Sequence, residues 1–449
     1  MVPKRNSPSI SSPFLVGLVA LVLAVFGSVL LHGVWAFASG FIYVAYDTAL
    51  LIFVTYKIRQ ILKHPRRSRS ESLPMLRLGV VIAARNEASV LPTCLDALAR
   101  QTEAPDEIHV IDDGSTDGTR SLLEQRRDLK ITIWSKKRSG KADSLNQVWP
   151  KIHTEIIVTI DADTILDPEA LAEMRLAFSQ DLNLAAAGGV LTPRCHARGI
   201  QGRLFEVFQG FEYIRAFLSR RSWMEIDALL LVSGAFAAYR KDALIKAGGY
   251  NSESWVEDYE LIHRIHRYAF ERGEKFKVQV LIGARAETDA PGNLRAFLKQ
   301  RQRWFGGFLQ TQFKNQDMVG NSRYGNVGRI MLPVKALDTL QPLYGIVAFL
   351  SLGGLLLRTT PVHPFIWIFL GVKISLDLVF HFWSVAIYHR WRGEKVGVKR
   401  WALSAFATAF EPVSFQLLRH FGACLGWLAW LRGKNDWTPQ RLNLPQNPV

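Results

Sequence analysis

Glu155 to Thr164 reads EIIVTIDADT, and the two halves of this stretch make opposite demands. Ile156 to Ile160 is an unbroken apolar, mostly β-branched run, the composition of a strand buried on both faces. Asp161 and Asp163 follow at once as carboxylates at i and i+2. Ionised at the end of a buried strand, they would repel one another and lose hydration. A hard divalent cation removes both penalties, because Mg2+ or Mn2+ takes oxygen ligands and shares its shell between one or two carboxylates and substrate phosphates. A solvated loop in which Asp167 caps the following helix fits the same residues.

Working outward, similar runs occur at Leu78 to Ala84, Glu107 to Ile111 and Ile131 to Trp134, separated by segments long enough for helices. This alternation predicts βαβ units and an α/β domain with a mixed, mainly parallel sheet covered on both faces. Ligands of such sheets bind at the carboxyl ends of the strands. Polar residues gather there: Arg85-Asn86-Glu87 after the first strand, Asp112-Asp113-Gly114-Ser115 after the second, and the Asp-x-Asp pair after the fourth. Asp113, within IDDGSTDGT, stands where an acidic side chain can meet ribose hydroxyls or a base edge, and a well-made turn fits it equally.

Three further clusters carry possible chemistry. Lys141, in SGKA, is a cation beside a glycine at a predicted helix start, where the backbone favours anions such as a diphosphate; a lone surface lysine looks the same. Glu257-Asp258 opens the helix DYELIHRI, and a helix N-terminus keeps carboxylates charged, as a general base must be; an acidic cap is the plain alternative. Gln300-Arg301-Gln302-Arg303-Trp304 lies on the amphipathic stretch Leu294 to Phe313. Arginine grips phosphate in a bidentate way and tryptophan offers a platform for a sugar ring, while an interfacial helix anchored by its Trp is the competing reading.

The ends of the chain are apolar. Phe14 to Leu31 carries no charge, and Phe41 to Tyr56 is interrupted only by Asp47. Each approaches the roughly 20 residues a helix needs to cross hydrocarbon. A cleaved signal peptide, with Lys4 and Arg5 before the run and Ala36-Phe37-Ala38 as the cleavage site, is the alternative for the first. Later blocks end near Leu357 and run from Phe365 to Tyr388 and from Trp401 to Trp430. Pro342 marks the expected start of the first of these spans. Glu411-Pro412 and Arg419-His420 leave the last open to a broken or re-entrant helix. Asp377, His381, Glu411 and Arg419 either line a polar path or pair with one another inside a bundle.

Among 449 residues, 55 Lys and Arg stand against 39 Asp and Glu, a net charge of +16. Much of the excess follows the first apolar block (Lys57, Arg59, Lys63, Arg66, Arg67, Arg69) or lies between the late ones (Arg390, Arg392, Lys395, Lys399, Arg400). That is a positive-inside pattern, which puts the polar middle of the chain in the cytosol and argues against nucleic acid as a partner. The three cysteines, Cys94, Cys195 and Cys424, are too scattered for a disulfide framework or a zinc site.

Taken in order, VVIAARNE, IDDGSTDGT, SGKADSLN, DADT, SGAFAAYR, VEDYEL and QRQRW resemble the membrane-integrated family 2 glycosyltransferases, which include cellulose, chitin, hyaluronan and poly-N-acetylglucosamine synthases. The resemblance covers Leu78 to Trp304 and implies a glycosyltransferase A-type fold. It also implies an inverting transfer from a nucleotide sugar, usually UDP-linked, with Mg2+ or Mn2+. By that resemblance Glu87, Asp113, Lys141, Asp161, Gln300 and Arg303 would bind the nucleotide sugar, and Asp161 and Asp163 the metal. Asp258, beside Glu257, would be the general base, and Trp304 and Gly234 would meet the acceptor. Many polymerising members carry Thr-Glu-Asp where this chain has Val256-Glu257-Asp258, so the acid pair is kept and the hydroxyl before it is missing.

The expected organisation is two N-terminal membrane helices with a basic linker (1–72), a cytosolic transferase domain (73–290), interfacial helices carrying the QxxRW element (291–341) and a C-terminal membrane region (342–449). The chain would then be an integral protein of the plasma or inner membrane, in contact with membrane lipid. Its expected function is extension of a polysaccharide, coupled to extrusion, with room for a small membrane partner subunit. Single transfer to a lipid acceptor is the second reading. A transporter or channel with a nucleotide-sensing domain is the non-enzymatic one.

Overall fold

The computed structural model describes residues 38–61, 75–196, 199–357, 364–393, 397–412 and 414–433. The first apolar run, the cleavage-site alternative and much of the basic linker lie outside these residues. In chain order the elements are α1 (Ala38–Ile61), β1 (Leu78–Ala84), α2 (Leu91–Ala99), β2 (Glu107–Asp113), α3 (Thr119–Gln125), β3 (Ile131–Lys136), α4 (Lys141–Val148), β4 (Ile156–Asp161) and β5 (Ile165–Leu166). There follow α5 (Ala170–Gln180), β6 (Leu184–Arg194), α6 (Gly199–Met224), β7 (Phe236–Arg240), α7 (Lys241–Lys246), α8 (Glu257–Arg272), β8 (Lys277–Asp289) and α9 (Leu294–Lys314). The last four helices are α10 (Leu332–Leu356), α11 (Pro364–Arg392), α12 (Val398–Phe410) and α13 (Phe415–Leu431).

The eight strands form one sheet in the order β3-β2-β1-β4-β7-β6-β8-β5. The first four strands in this order run parallel, β7 is antiparallel to both β4 and β6, β6 and β8 are parallel, and β5 closes the edge antiparallel to β8. The expected mixed sheet is therefore present. Side chains alternate across it. Val81 and Ile157 pack on one face with Leu145, Leu261 and Ile262. Val80, Ile82, Val158 and Ile160 pack on the other with Leu91, Leu95 and Phe178. Each such fully buried side chain is worth about 1.5–3 kcal/mol relative to exposure. Register then levels the acidic strand ends: Ala83 pairs with Asp161 and Ala84 with Asp112.

Among the described residues two helical stretches, Gly40–Arg59 and Pro364–Arg392, are long and apolar enough to cross a membrane. The block from Trp401 to Trp430 is broken at Glu411-Pro412 into α12 and α13, as expected where proline removes a donor and unsettles the residue before it. Helix α10 instead continues through Pro342. The charges within these segments pair with one another. Lys373 of α11 reaches Asp47 of α1 at 2.6 Å and also Asp377. Glu411 meets Arg215 of α6 and Arg419 of α13, each at 3.5 Å. His381 packs edge-on against Phe211.

Candidate active site

β4 delivers Asp161 at its last position, and the backbone N–H of Asp161 donates to the carbonyl of Ala235 at 3.2 Å. That bond joins the Asp-x-Asp turn to the loop Ser233-Gly234-Ala235. Asp163 Oδ1 accepts from the Thr288 hydroxyl of β8 at 3.2 Å, so the far half of the sheet fixes the second carboxylate. Lys141 enters as the first residue of α4, after Gly140, whose φ of +99° suits glycine alone. Its ammonium pairs with the Asp161 carboxylate, donates to the Gly234 carbonyl at 3.3 Å and lies 3.4 Å from Glu257 Oε1.

Glu257 and Asp258 open α8. Asp258 Oδ2 accepts from the Gly234 N–H at 2.6 Å and Oδ1 from the Tyr259 N–H at 2.8 Å. Four segments thus converge: β4, the start of α4, the loop before β7 and the start of α8, with Arg303 of α9 near enough for its charge to act on Glu257. Burial alone would pull the Lys141 ammonium down, yet the charges of Asp161 and Glu257 outweigh it and hold its pKa above the ordinary lysine value. For Glu257, burial is outweighed by Lys141 and Arg303, and its pKa is held below the usual carboxylate range. Burial, seconded by the charge of Glu257, pushes Asp258 up. The two neighbouring acids are thereby separated: Glu257 is the fixed anion and Asp258 the stronger base.

α9 closes this side. Gln310 Oε1 accepts from the Trp255 N–H at 3.1 Å, and Gln310 Nε2 donates to the Glu253 carbonyl at 3.1 Å. A Cβ at Gly306 would stand 2.5 Å from the Trp255 ring, so glycine is what lets α9 lie against the loop that feeds Glu257 and Asp258. Gln300 is buried on this helix and Trp304 is half-buried. The Arg301 guanidinium lies 4.5 Å from the centre of the Trp304 ring.

Not every expected residue faces the cluster. Asp113 accepts backbone N–H bonds from Ser139 and Gly140, both at 2.8 Å, so its carboxylate shapes the loop that presents Lys141. Glu87 donates its backbone N–H to the Thr119 hydroxyl at 2.9 Å. Its charge, with those of Asp163 and Asp161, adds to burial in raising the Cys94 thiol pKa beneath the same strand ends. Among the described residues no group of three or more His, Cys, Asp or Glu side chains is placed to hold a metal ion. Asp161 and Asp163 form a two-carboxylate set at a strand end, which fits a hard cation that takes its other ligands from water and substrate phosphates. Thr288 and Gln310 escaped sequence reasoning. For Gln310 the one local signal was the Gly306-Gly307 pair on the same helix, a sign of close backbone approach.

Residues 79–248 match the family profile described as glycosyl transferase family 2. The chain carries a family 2 glycosyltransferase domain. It is similar to poly-beta-1,6-N-acetyl-D-glucosamine synthase of Staphylococcus aureus strain COL, 28% identical over 231 residues covering 51% of this chain and 53% of that protein. The synthase of the same description from Staphylococcus epidermidis is 24% identical over 288 residues, 63% of this chain and 66% of the relative. The chain thus spans between half and two thirds of the length of these curated relatives. Among solved structures it resembles a mannosyltransferase from Pyrobaculum calidifontis in complex with GDP-Man and Mn2+, with a TM-score of 0.55, 19% identity, and coverage of 89% of this chain and 99% of that one. At this identity the likeness speaks for the fold, a glycosyltransferase A-like mixed sheet with helices.

Proposed function

We propose that the chain is a membrane-integrated, inverting glycosyltransferase that moves a sugar from a UDP-linked donor onto a hydroxyl of a growing polysaccharide at the cytosolic membrane face. The observation that carries this reading is the meeting of Lys141 with Asp161, Gly234 and Glu257 beside Asp258. Such a site answers the two demands of glycosyl transfer from a nucleotide: charge to neutralise a departing diphosphate, and a base for the attacking hydroxyl.

In this mechanism Asp258, its pKa raised by burial and by Glu257, takes the proton of the acceptor hydroxyl. The hydroxyl oxygen attacks the anomeric carbon in line, and the bond to the diphosphate breaks on the opposite face with inversion. The Gly234 and Tyr259 N–H groups hold the Asp258 carboxylate in place. Lys141 turns from Asp161 towards the diphosphate as negative charge develops there, with Gln300 and Arg303 closing over it from α9. Asp161 and Asp163 would hold a Mg2+ or Mn2+ ion, which would supply further positive charge at the leaving group. Asp113 acts on the nucleoside through the loop it shapes. Trp304 stacks on the acceptor sugar, and Gly234 lets that sugar approach.

Likeness to two poly-N-acetylglucosamine synthases favours a polymer over a single glycolipid. Two apolar helices of spanning length favour a membrane setting. The test is product length. Membranes holding the protein are given radiolabelled UDP-sugars with Mg2+ or Mn2+: a ladder or high polymer supports the proposal, and one chloroform-soluble product overturns its polymerising part.

A further inference from the structure

We propose that Arg301 is a positioning residue for Trp304, and that Glu212 of α6 locks Arg301 in that role through a row of charges whose members are buried or partly buried. This rests on the reading of Trp304 as the acceptor platform. Arg301 is one of the intervening residues of the QxxRW element, and it is 2% exposed. Its guanidinium lies 4.6 Å from the Phe297 ring and 4.5 Å from the Trp304 ring. These partners stand at i−4 and i+3, on the same face of α9. A planar cation between two rings holds both by stacking, which the compact ammonium of lysine does not reproduce.

Stacking alone leaves the cation free to swing, and two further contacts prevent it. Arg301 Nη2 donates to Glu212 Oε2 at 2.6 Å. On the other side α13 covers the stem of Arg301: a Cβ at Gly422 would stand 2.6 Å from Arg301 Cβ. Glu212 is held in turn, its Oε1 lying 3.7 Å from Arg419, which lies 3.5 Å from Glu411. Glu411 ends the row with Arg215, one turn beyond Glu212 on α6. The row Arg301, Glu212, Arg419, Glu411, Arg215 alternates in sign and joins α9, α6, α13 and the break after α12. The alternative is a set of ion pairs that only stabilises the fold. The row ends, however, against the one ring of α9 read as touching a sugar, and an error of about 1 Å in a bound reactant lowers rate roughly 10²-fold.

The test uses the full chain in nanodiscs with UDP-N-acetylglucosamine, with and without β-1,6-linked N-acetylglucosamine oligomers. Transfer to the oligomer and hydrolysis of the donor by water are measured together with the melting temperature. Arg301→Lys and Glu212→Gln are expected to lower the ratio of transfer to hydrolysis about tenfold, chiefly through acceptor KM. Arg301→Lys combined with Glu212→Gln is expected to be no worse than Arg301→Lys alone, because the two act as one unit. Transfer and hydrolysis falling in parallel with melting temperature would mark a structural role and overturn the inference, as would a ratio that stays at the wild-type value. Trp304→Ala separates the levels. If it leaves the ratio unchanged, the acceptor reading itself fails. If it lowers the ratio while Arg301→Lys and Glu212→Gln do not, only the positioning inference fails.

Discussion

Replacing Gly234 by alanine presses first on the base, and also on Lys141 and the loop read as meeting the acceptor. The added Cβ would stand 3.1 Å from Asp258 Oδ2, 3.2 Å from Asp258 Cβ and 3.3 Å from Lys141 Nζ. These approaches are a few tenths of an ångström too tight, so the start of α8 or the Gly234 loop must give way. The Gly234 N–H to Asp258 bond at 2.6 Å ties the carboxylate to whichever part moves. Extra volume in a packed site costs about 1–3 kcal/mol, and the lower end applies here because Asp258 is only half-buried. Since a misplacement of about 1 Å lowers rate roughly 10²-fold, a shift of a third to a half of that predicts about a tenfold loss in kcat. The assay is UDP release from the donor under Mn2+, read beside a melting curve. Activity within twofold of wild type would refute the placement of Asp258 at the reaction centre, and so would a loss no larger than the melting curve explains.

Four more expectations follow from the same geometry. Lys141→Met removes the cation that holds Asp161. A unit charge about 4 Å away is worth roughly 4 kcal/mol at an effective dielectric near 20, so even after solvent screening, Mn2+ binding to the nucleotide-free protein, followed by electron paramagnetic resonance, should tighten at least ~10-fold. Transfer should fall about 10²-fold as a donor to the leaving group is lost; unchanged Mn2+ binding would contradict the pairing. Burial and Glu257 raise the pKa of Asp258, so its base form is lost as pH falls through a value above the ordinary ~3.9, and kcat should decline on acidification earlier than an exposed aspartate would allow. The same upward shift means that ionised Asp258 opposes folding at neutral pH, so Asp258→Asn should abolish transfer while leaving the melting temperature unchanged or higher. Glu411→Gln removes the anion between Arg215 and Arg419, leaving Arg419 its contact with Glu212, and taking one partner from a buried pair costs about 3–5 kcal/mol, an upper bound for this partly buried set, to be seen as a lower melting temperature in detergent.

The first four strands were legible because each is an apolar run bounded by turn residues, and the structure places them within two residues of the runs read from sequence. β6 was not. LAAAGGVLTPR is rich in Ala and Gly, which have little intrinsic strand preference. It becomes a strand through partners distant in the chain, and a Cβ at Gly189 would stand 2.2 Å from the Phe236 ring. The acids at the strand ends were found from their spacing, yet spacing said nothing of where Asp113 turns. Its oxygens meet amides 26 and 27 residues further on. Nor did it tell mutual pairing from a polar path for Asp377, Glu411 and Arg419. Arg301 and Glu212, 89 residues apart, carry no local mark of their contact, because packing of α6 against α9 creates it.

The most direct test of the account is nucleotide release by purified protein in nanodiscs. UDP-sugars and GDP-mannose are supplied with Mg2+ or Mn2+, and the wild type is compared with Asp258→Asn. The account predicts that the wild type releases UDP from at least one UDP-sugar in the presence of the metal, and that Asp258→Asn slows release at least ~10²-fold. No release from any donor, or equal release by the two proteins, would contradict it.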